Sequence, residues 1–252
     1  MRHRQVRMPR RIVVAWSGGI DSTALVRSLS LAGHDVEAVL FESSTPQGRR
    51  EVNAVQRLWV SFKEKGPNCR LKLTIRPGHV LNAEANTFSD AGRNRRIIKM
   101  LREWSGSNDI GVGQYTGTDT WLVKDHVGAE DCDARALTAW AYGEWGDKFK
   151  LWTLDDIGES RYKADRLQLL LDVCTQDEVC LTTNCLRHDS DGHCGECYKC
   201  IERAASFRVL GYADSTVYKA VPDASLVNLY AARMRGRNVR METKGHDTLT
   251  GD

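Results

Sequence analysis

The chain has 252 residues, a formal net charge of +3, 41% hydrophobic and 27% charged residues. That length suits one substantial α/β domain with an appendage, and the composition is ordinary for a soluble globular protein. No apolar run reaches the length of a membrane span and the basic start lacks the apolar core of a secretory signal, so a cytoplasmic location is expected; the modest charge argues against a nucleic-acid partner.

Arg2, Arg4, Arg7, Arg10 and Arg11 have no acidic neighbour in sequence, and residues 1–10 read as a solvated basic tail. Ile12 to Trp16 is a short apolar run, as in a strand buried on both faces. A glycine turn follows, then a helix over Ser22 to Leu31 with Gly33 as its stop. Val36 to Phe41 reads as a second strand. Val52, Val55, Trp59 and Phe62 form one helical stripe, and Leu71, Leu73 and Ile75 alternate as a third strand. A helix over Asn94 to Trp104, a strand over Ile110 to Val112 and helices from about Cys132 to Trp145 and Arg161 to Cys174 complete the series. The βαβα order predicts an α/β fold with a doubly wound, mostly parallel sheet over residues 11–176. Residues 177–252 turn cysteine-rich and polar, which predicts a small C-terminal zinc-binding and helical region.

Ser17-Gly18-Gly19-Ile20-Asp21-Ser22-Thr23 joins the first strand to the first helix. Two glycines bring backbone N–H groups up to an anion, hydroxyls of Ser17, Ser22 and Thr23 add donors, and the helix N-terminus adds partial positive charge. A pyrophosphate is the natural guest. Neither G-x-x-x-x-G-K-[ST] nor G-x-G-x-x-G fits. The turn resembles the S-G-G-x-D-S signature of PP-loop ATP pyrophosphatases, which split ATP between its α and β phosphates. A glycine turn with an ordinary Ser/Asp helix cap is the plainer reading.

Cys69, Cys132, Cys174 and Cys180 are scattered, whereas Cys185, Cys194, Cys197 and Cys200 crowd together. Four thiolates at this spacing can close a tetrahedral shell around a structural Zn²⁺, with an iron–sulfur cluster as the competing reading.

Turn and cysteines together resemble the 7-cyano-7-deazaguanine synthase family, over roughly Arg11 to Asp214. Asn86-Thr87-Phe88 with Gly92-Arg93-Asn94, Thr118-Asp119, Asp131-Cys132, Lys163-Ala164-Asp165, and Thr182 to Cys185 with Gly192 to Cys200, Arg203 and Phe207 carry the likeness. It implies that ATP with Mg²⁺ activates the carboxylate of 7-carboxy-7-deazaguanine, that ammonia yields an amide, and that further ATP dehydrates it to a nitrile. It also implies a homodimer. In that frame Ser17, Gly18, Gly19, Asp21, Ser22 and Thr23 bind ATP, Asp21 orienting the loop or holding Mg²⁺ unless it is a helix cap. Arg93 and Lys163 neutralise phosphate or carboxylate charge unless they are surface cations. Phe88 stacks on the purine-like ring or joins the core. Asn94 contacts substrate, and Asp131 reads the base edge, binds Mg²⁺ or caps a helix. Cys132 is a nucleophile in name only, with no sign of a lowered thiol pKa.

The chain departs from the family at Glu42 to Glu51, at Ala91 where proline is usual, and in a longer stretch between Asp119 and Asp131. Such loops shape a pocket mouth, so an activated deazaguanine acid joined to a protein amine, as in antiphage-defence relatives, is the rival outcome. A tRNA-modifying PP-loop enzyme and a zinc-dependent nucleic-acid binding module are more distant readings.

Overall fold

The computed structural model describes residues 9–42, 46–64, 71–77, 93–106, 108–113, 134–158, 163–185 and 192–246; side chains of 64, 77, 93 and 236–246 fall outside that description. Five strands form one sheet: β1 (Arg11–Ala15), β2 (Asp35–Glu42), β3 (Leu71–Pro77), β4 (Asp109–Gly111) and β5 (Leu151–Trp152). Their order is β3-β2-β1-β4-β5 and every pairing is parallel. Counting from β1, the chain first winds to one edge and then returns to build the other. The sheet therefore reverses direction between β1 and β4, where parallel α/β sheets open a crevice at their C-terminal ends.

Alternation along β1 sorts its side chains between two cores. Ile12, Val14 and Trp16 pack on one face with α1 (Ile20–Leu31) and α2 (Pro46–Glu64) through Leu25, Leu29, Leu58 and Phe62. Val13 points to the other face, against Ile98 and Leu101 of α3 (Arg93–Ser105) and Leu137 and Ala141 of α4 (Ala134–Trp145). Helices thus cover both faces, as expected of strands with no polar side. Gly33, at φ +87°, follows the end of α1 and lets the chain turn into β2.

The last expected helix of the α/β segment is shorter than its apolar pattern. α5 (Lys163–Leu171) ends before Cys174, and a separate short helix, α6 (Gln176–Cys180), begins after a Thr175–Glu178 capping box. Thr175 and Glu178 satisfy each other's backbone N–H groups, which fixes a new helix start where periodicity alone suggests continuation. Beyond it, α7 (Tyr198–Leu210) packs on α5 and carries Phe207 into the first core. α8 (Ala224–His246) lays Val227, Tyr230, Ala231 and Met234 on α7. Arg10 and Arg11, expected in or beside a solvated tail, are held by Asp109 at 2.9 Å and Glu37 at 3.2 Å. Among the described residues no helix is long and apolar enough to cross a membrane.

Candidate functional site

The glycine turn leaves β1 at the point where the sheet reverses. Gly19 is the N-cap of α1, with extended backbone and no side-chain cap bond, and Asp21 sits in the first turn. Asp21 is therefore not the cap. Gly18 takes φ +73°, and a Cβ there would come within 3.0 Å of the Ala54 side chain. Its carbonyl accepts the Thr183 N–H at 2.9 Å. Ser17 and Ser22 share a hydrogen bond at 3.2 Å, and the Ser17 N–H donates to the Ser22 hydroxyl at 3.3 Å. Thr23 is turned away: its buried hydroxyl accepts the Trp16 indole N–H at 3.0 Å, so its side chain serves the core.

The turn faces a cleft of about 300 Å³. Ser17, Gly19, Asp21 and Ser22 line it from one side, with Asn94, Lys163, Lys199 and the stretch Thr183–Cys185 contributing the rest of the polar wall. Gln47 and Glu51 of α2 also reach it, as do Val112 and Gly113 beyond β4. Gly113 has no residue to spare for a side chain, since a Cβ there would lie 2.6 Å from the Ser22 nitrogen.

Asp21 is the electrostatic centre. Both its oxygens meet Lys163 Nζ, at 3.1 and 3.0 Å, and Oδ1 also meets Arg166 Nε at 3.0 Å. Lys163 and Arg166 are all but inaccessible, with side chains 3% and 1% exposed, so Lys163 is no ordinary surface cation. Burial by itself would raise the Asp21 pKa; Lys163, then Arg166 and Lys199, outweigh it and hold the carboxyl at about 2. Burial lowers the Lys163 pKa, and the Asp21 charge opposes that. Glu202, 3.6 Å from Lys199, is likewise pushed up by burial but ends below its ordinary value under Lys199, Lys163 and Arg166. Lys163, Arg166 and Lys199 thus stand with Asp21, Glu202 and Glu51 around this cleft, and these charges balance. An anion at the turn would meet Lys163 and Lys199 on the cleft wall.

Cys185, Cys194, Cys197 and Cys200 meet beside the same cleft, and all four sulfurs lie within 4.8 Å of one another. A zinc ion about 2.3 Å from four tetrahedral sulfurs would separate them by about 3.8 Å. The observed separations of 3.5 Å for Cys197–Cys200, 3.9 Å for Cys194–Cys200 and 4.0 Å for Cys185–Cys197 fit that shell. Backbone N–H groups of Cys197, Glu196 and Cys194 approach sulfur at 3.2 to 3.4 Å, offering donors to thiolate charge. Cys197 also caps α7, whose N-terminus favours negative sulfur. Sulfur hydrogen bonds from Cys185 and Cys197, then burial, push the Cys200 thiol far up, and a divalent cation is what would let this group ionise. The cluster can hold a metal ion such as zinc.

Of the expected site residues, the structure brings together Ser17, Gly19, Asp21, Ser22, Asn94 and Lys163, with the four cysteines adjoining. Phe88, Asp131, Cys132 and Cys69 lie outside the described residues, as does the side chain of Arg93 at the start of α3. Arg166, Lys199 and Gly113 went unmarked in the sequence, whereas Glu51 ends the segment expected as a pocket-mouth loop; that segment is helical from Pro46, as the start of α2, and still brings Gln47 and Glu51 to the cleft. Arg166 follows Lys163 by three positions and so shares its helical face, the one signal that could have found it. No family model matches the chain, and no curated protein matches it.

Proposed function

We propose that this protein is a PP-loop ATP pyrophosphatase that adenylates a carboxylate, and that its acid is 7-carboxy-7-deazaguanine, carried with ammonia to the nitrile. The observation that carries the adenylation reading is the Ser17–Ser22 turn at the sheet's reversal point, facing a cleft with Lys163 and Lys199 on its wall. The choice of acid rests on the retained Asn86–Asn94, Asp131-Cys132 and Lys163–Asp165 segments.

A carboxylate is a poor acyl donor, because its leaving group would be oxide. Transfer to AMP gives it a good one, at the cost of developing charge on departing pyrophosphate. The turn's N–H groups and the hydroxyls of Ser17 and Ser22 grip that charge. Lys163 stabilises it from a fixed place, since both Asp21 oxygens hold the ammonium. Asp21 thereby acts as the lysine's anchor, and magnesium accompanies ATP as the counter-ion of its phosphates. Zinc, if held by Cys185, Cys194, Cys197 and Cys200, would serve structural closure, since four thiolates would fill its shell.

Incubation with the acid, ATP, Mg²⁺ and ammonium tests the reading. AMP and pyrophosphate should appear, with free nitrile by mass spectrometry. ADP and orthophosphate alone would exclude the PP-loop reaction. Adenylate without nitrile, together with a mass adduct on a partner polypeptide, would assign the protein-amine reaction instead.

A further inference from the structure

Glu202 is a buried carboxylate that the reaction above does not use. It lies on α7, one turn after Lys199, and is 3% exposed. Among the described residues its Oε2 receives no hydrogen bond, and its one ion pair is with Lys199 Nζ at 3.6 Å. A carboxylate taken out of water is costly when so little serves it, so its charge is kept for a purpose. Of the cations around it, Lys199 acts on it most strongly, ahead of Lys163 and Arg166. Lys199 is placed to pass that influence on. Its side chain is 30% exposed and lines the cleft, whereas Glu202 is not among the described lining residues. Its backbone is fixed by the same fold that gathers the sulfurs, two residues after Cys197 and one before Cys200. The 3.6 Å separation exceeds the roughly 2.7–2.9 Å of a made charge-assisted hydrogen bond, so the ammonium is steered without being locked. Without that carboxylate, a flexible lysine beside Lys163 and Arg166 would be driven outward by like charge.

We infer that Glu202 is the positioning residue that holds Lys199 toward the departing pyrophosphate. This rests on the adenylation reading above. As the acid's carboxylate oxygen bonds to the α-phosphorus, the bond from that phosphorus to the oxygen bridging it to the β-phosphate breaks. Its electron pair leaves on pyrophosphate. Lys199, beside Lys163 on the cleft wall, meets the charge that gathers there. Glu202 touches no reactant and acts only through the lysine. Being negative itself, it does not help an anion bind, so its effect lies in rate and not in affinity.

The test is a double-mutant cycle in the full-length protein. Exchange of labelled pyrophosphate into ATP, with 7-carboxy-7-deazaguanine and Mg²⁺, gives the rate, and calorimetry with inorganic pyrophosphate gives the affinity. Lys199→Met should slow exchange by about 10²-fold and weaken pyrophosphate binding. Glu202→Gln should slow exchange by about 10-fold while pyrophosphate binds no more weakly than to wild type. In the Lys199→Met background, Glu202→Gln should change exchange by less than about twofold, because the residue through which it acts is gone. Glu202→Asp keeps the charge at shorter reach and should recover part of the loss. Should the glutamine variant melt low or lose its metal, the same cycle run with Glu202→Asp decides. An equal loss in both backgrounds would make Glu202 a structural residue and overturn the inference. Unchanged exchange in Glu202→Gln overturns it as well. Absence of exchange in the wild type would instead remove the adenylation reading on which it stands.

Discussion

Asp21 is paired with two nearly buried cations, Lys163 and Arg166. Removing one member of a buried charge cluster leaves the others uncompensated, which costs more than the cluster contributes as a whole. Asp21→Asn keeps the shape but leaves Lys163 and Arg166 without their shared counter-charge. The variant should lose activity and also about 2–4 kcal/mol of stability, read from urea unfolding. A variant with normal stability and lost activity would show that Asp21 acts on substrate and not on Lys163. The same group sets an acid limit. Its folded-state pKa is about 2 against an ordinary 3.8, so the folded protein binds fewer protons than the unfolded chain between those values. The contribution, about 2 kcal/mol, is present above pH 3.8 and lost as pH falls toward 2. Stability measured from pH 6 downward should fall less steeply through this window in Asp21→Asn than in the wild type.

At the scale of elements, the cysteine cluster and the glycine turn are coupled through one short stretch. Thr183 donates to the Gly18 carbonyl, and Cys185 follows two residues later. Arg203, fully buried on α7, fixes the approach to that stretch. Its guanidinium donates to Thr182 Oγ1, Thr216 Oγ1 and the Val179 carbonyl, each at 2.8 Å. Arg203→Met would fill the space but remove three buried hydrogen bonds, the Val179 carbonyl alone keeping other donors in the Thr182 N–H and hydroxyl, and about 2 kcal/mol should be lost in denaturant titration. Metal removal should act along the same line. About one zinc per chain is expected by elemental analysis, and a chelator should lower both the melting temperature and the affinity for ATP. Cys197→Ser should do likewise. A chelated protein that melts lower yet binds ATP as before would break the coupling. Iron with sulfide in place of zinc would replace the structural ion.

Seen whole, the molecule was legible in its sequence wherever the signal was local. Apolar runs such as Ile12 to Trp16 marked strands, the adjacent glycines marked the turn, and spacing marked the cysteines, because each signal lies within a few residues. What tertiary packing decides was hidden. Nothing near Asp21 announces that Lys163, 142 residues on, will close over it, or that Thr23 will turn to Trp16. Gly113 was hidden for the same reason. It ends the strand segment across the sheet's reversal point from the turn, and only the fold presses it against Ser22. A Cβ at Gly113 would lie 2.6 Å from Ser22 N, 2.8 Å from Ser22 Cα and 3.0 Å from the Asp21 carbonyl carbon. These are backbone atoms at the start of a buried helix and cannot step aside as a flexible side chain would. Gly113→Ala must therefore push the turn out of register with the cleft. ATP should then raise the melting temperature of Gly113→Ala little or not at all, while wild type gains several degrees at saturating nucleotide. Gly143 supplies the control: it lies within α4, has open space around its Cβ position, and takes no left-handed conformation. Gly143→Ala should add about 0.5–1 kcal/mol of stability and leave the ATP-dependent shift intact. Equal ATP shifts in both variants would mean that the close approach of Gly113 to the turn does not shape the proposed nucleotide site.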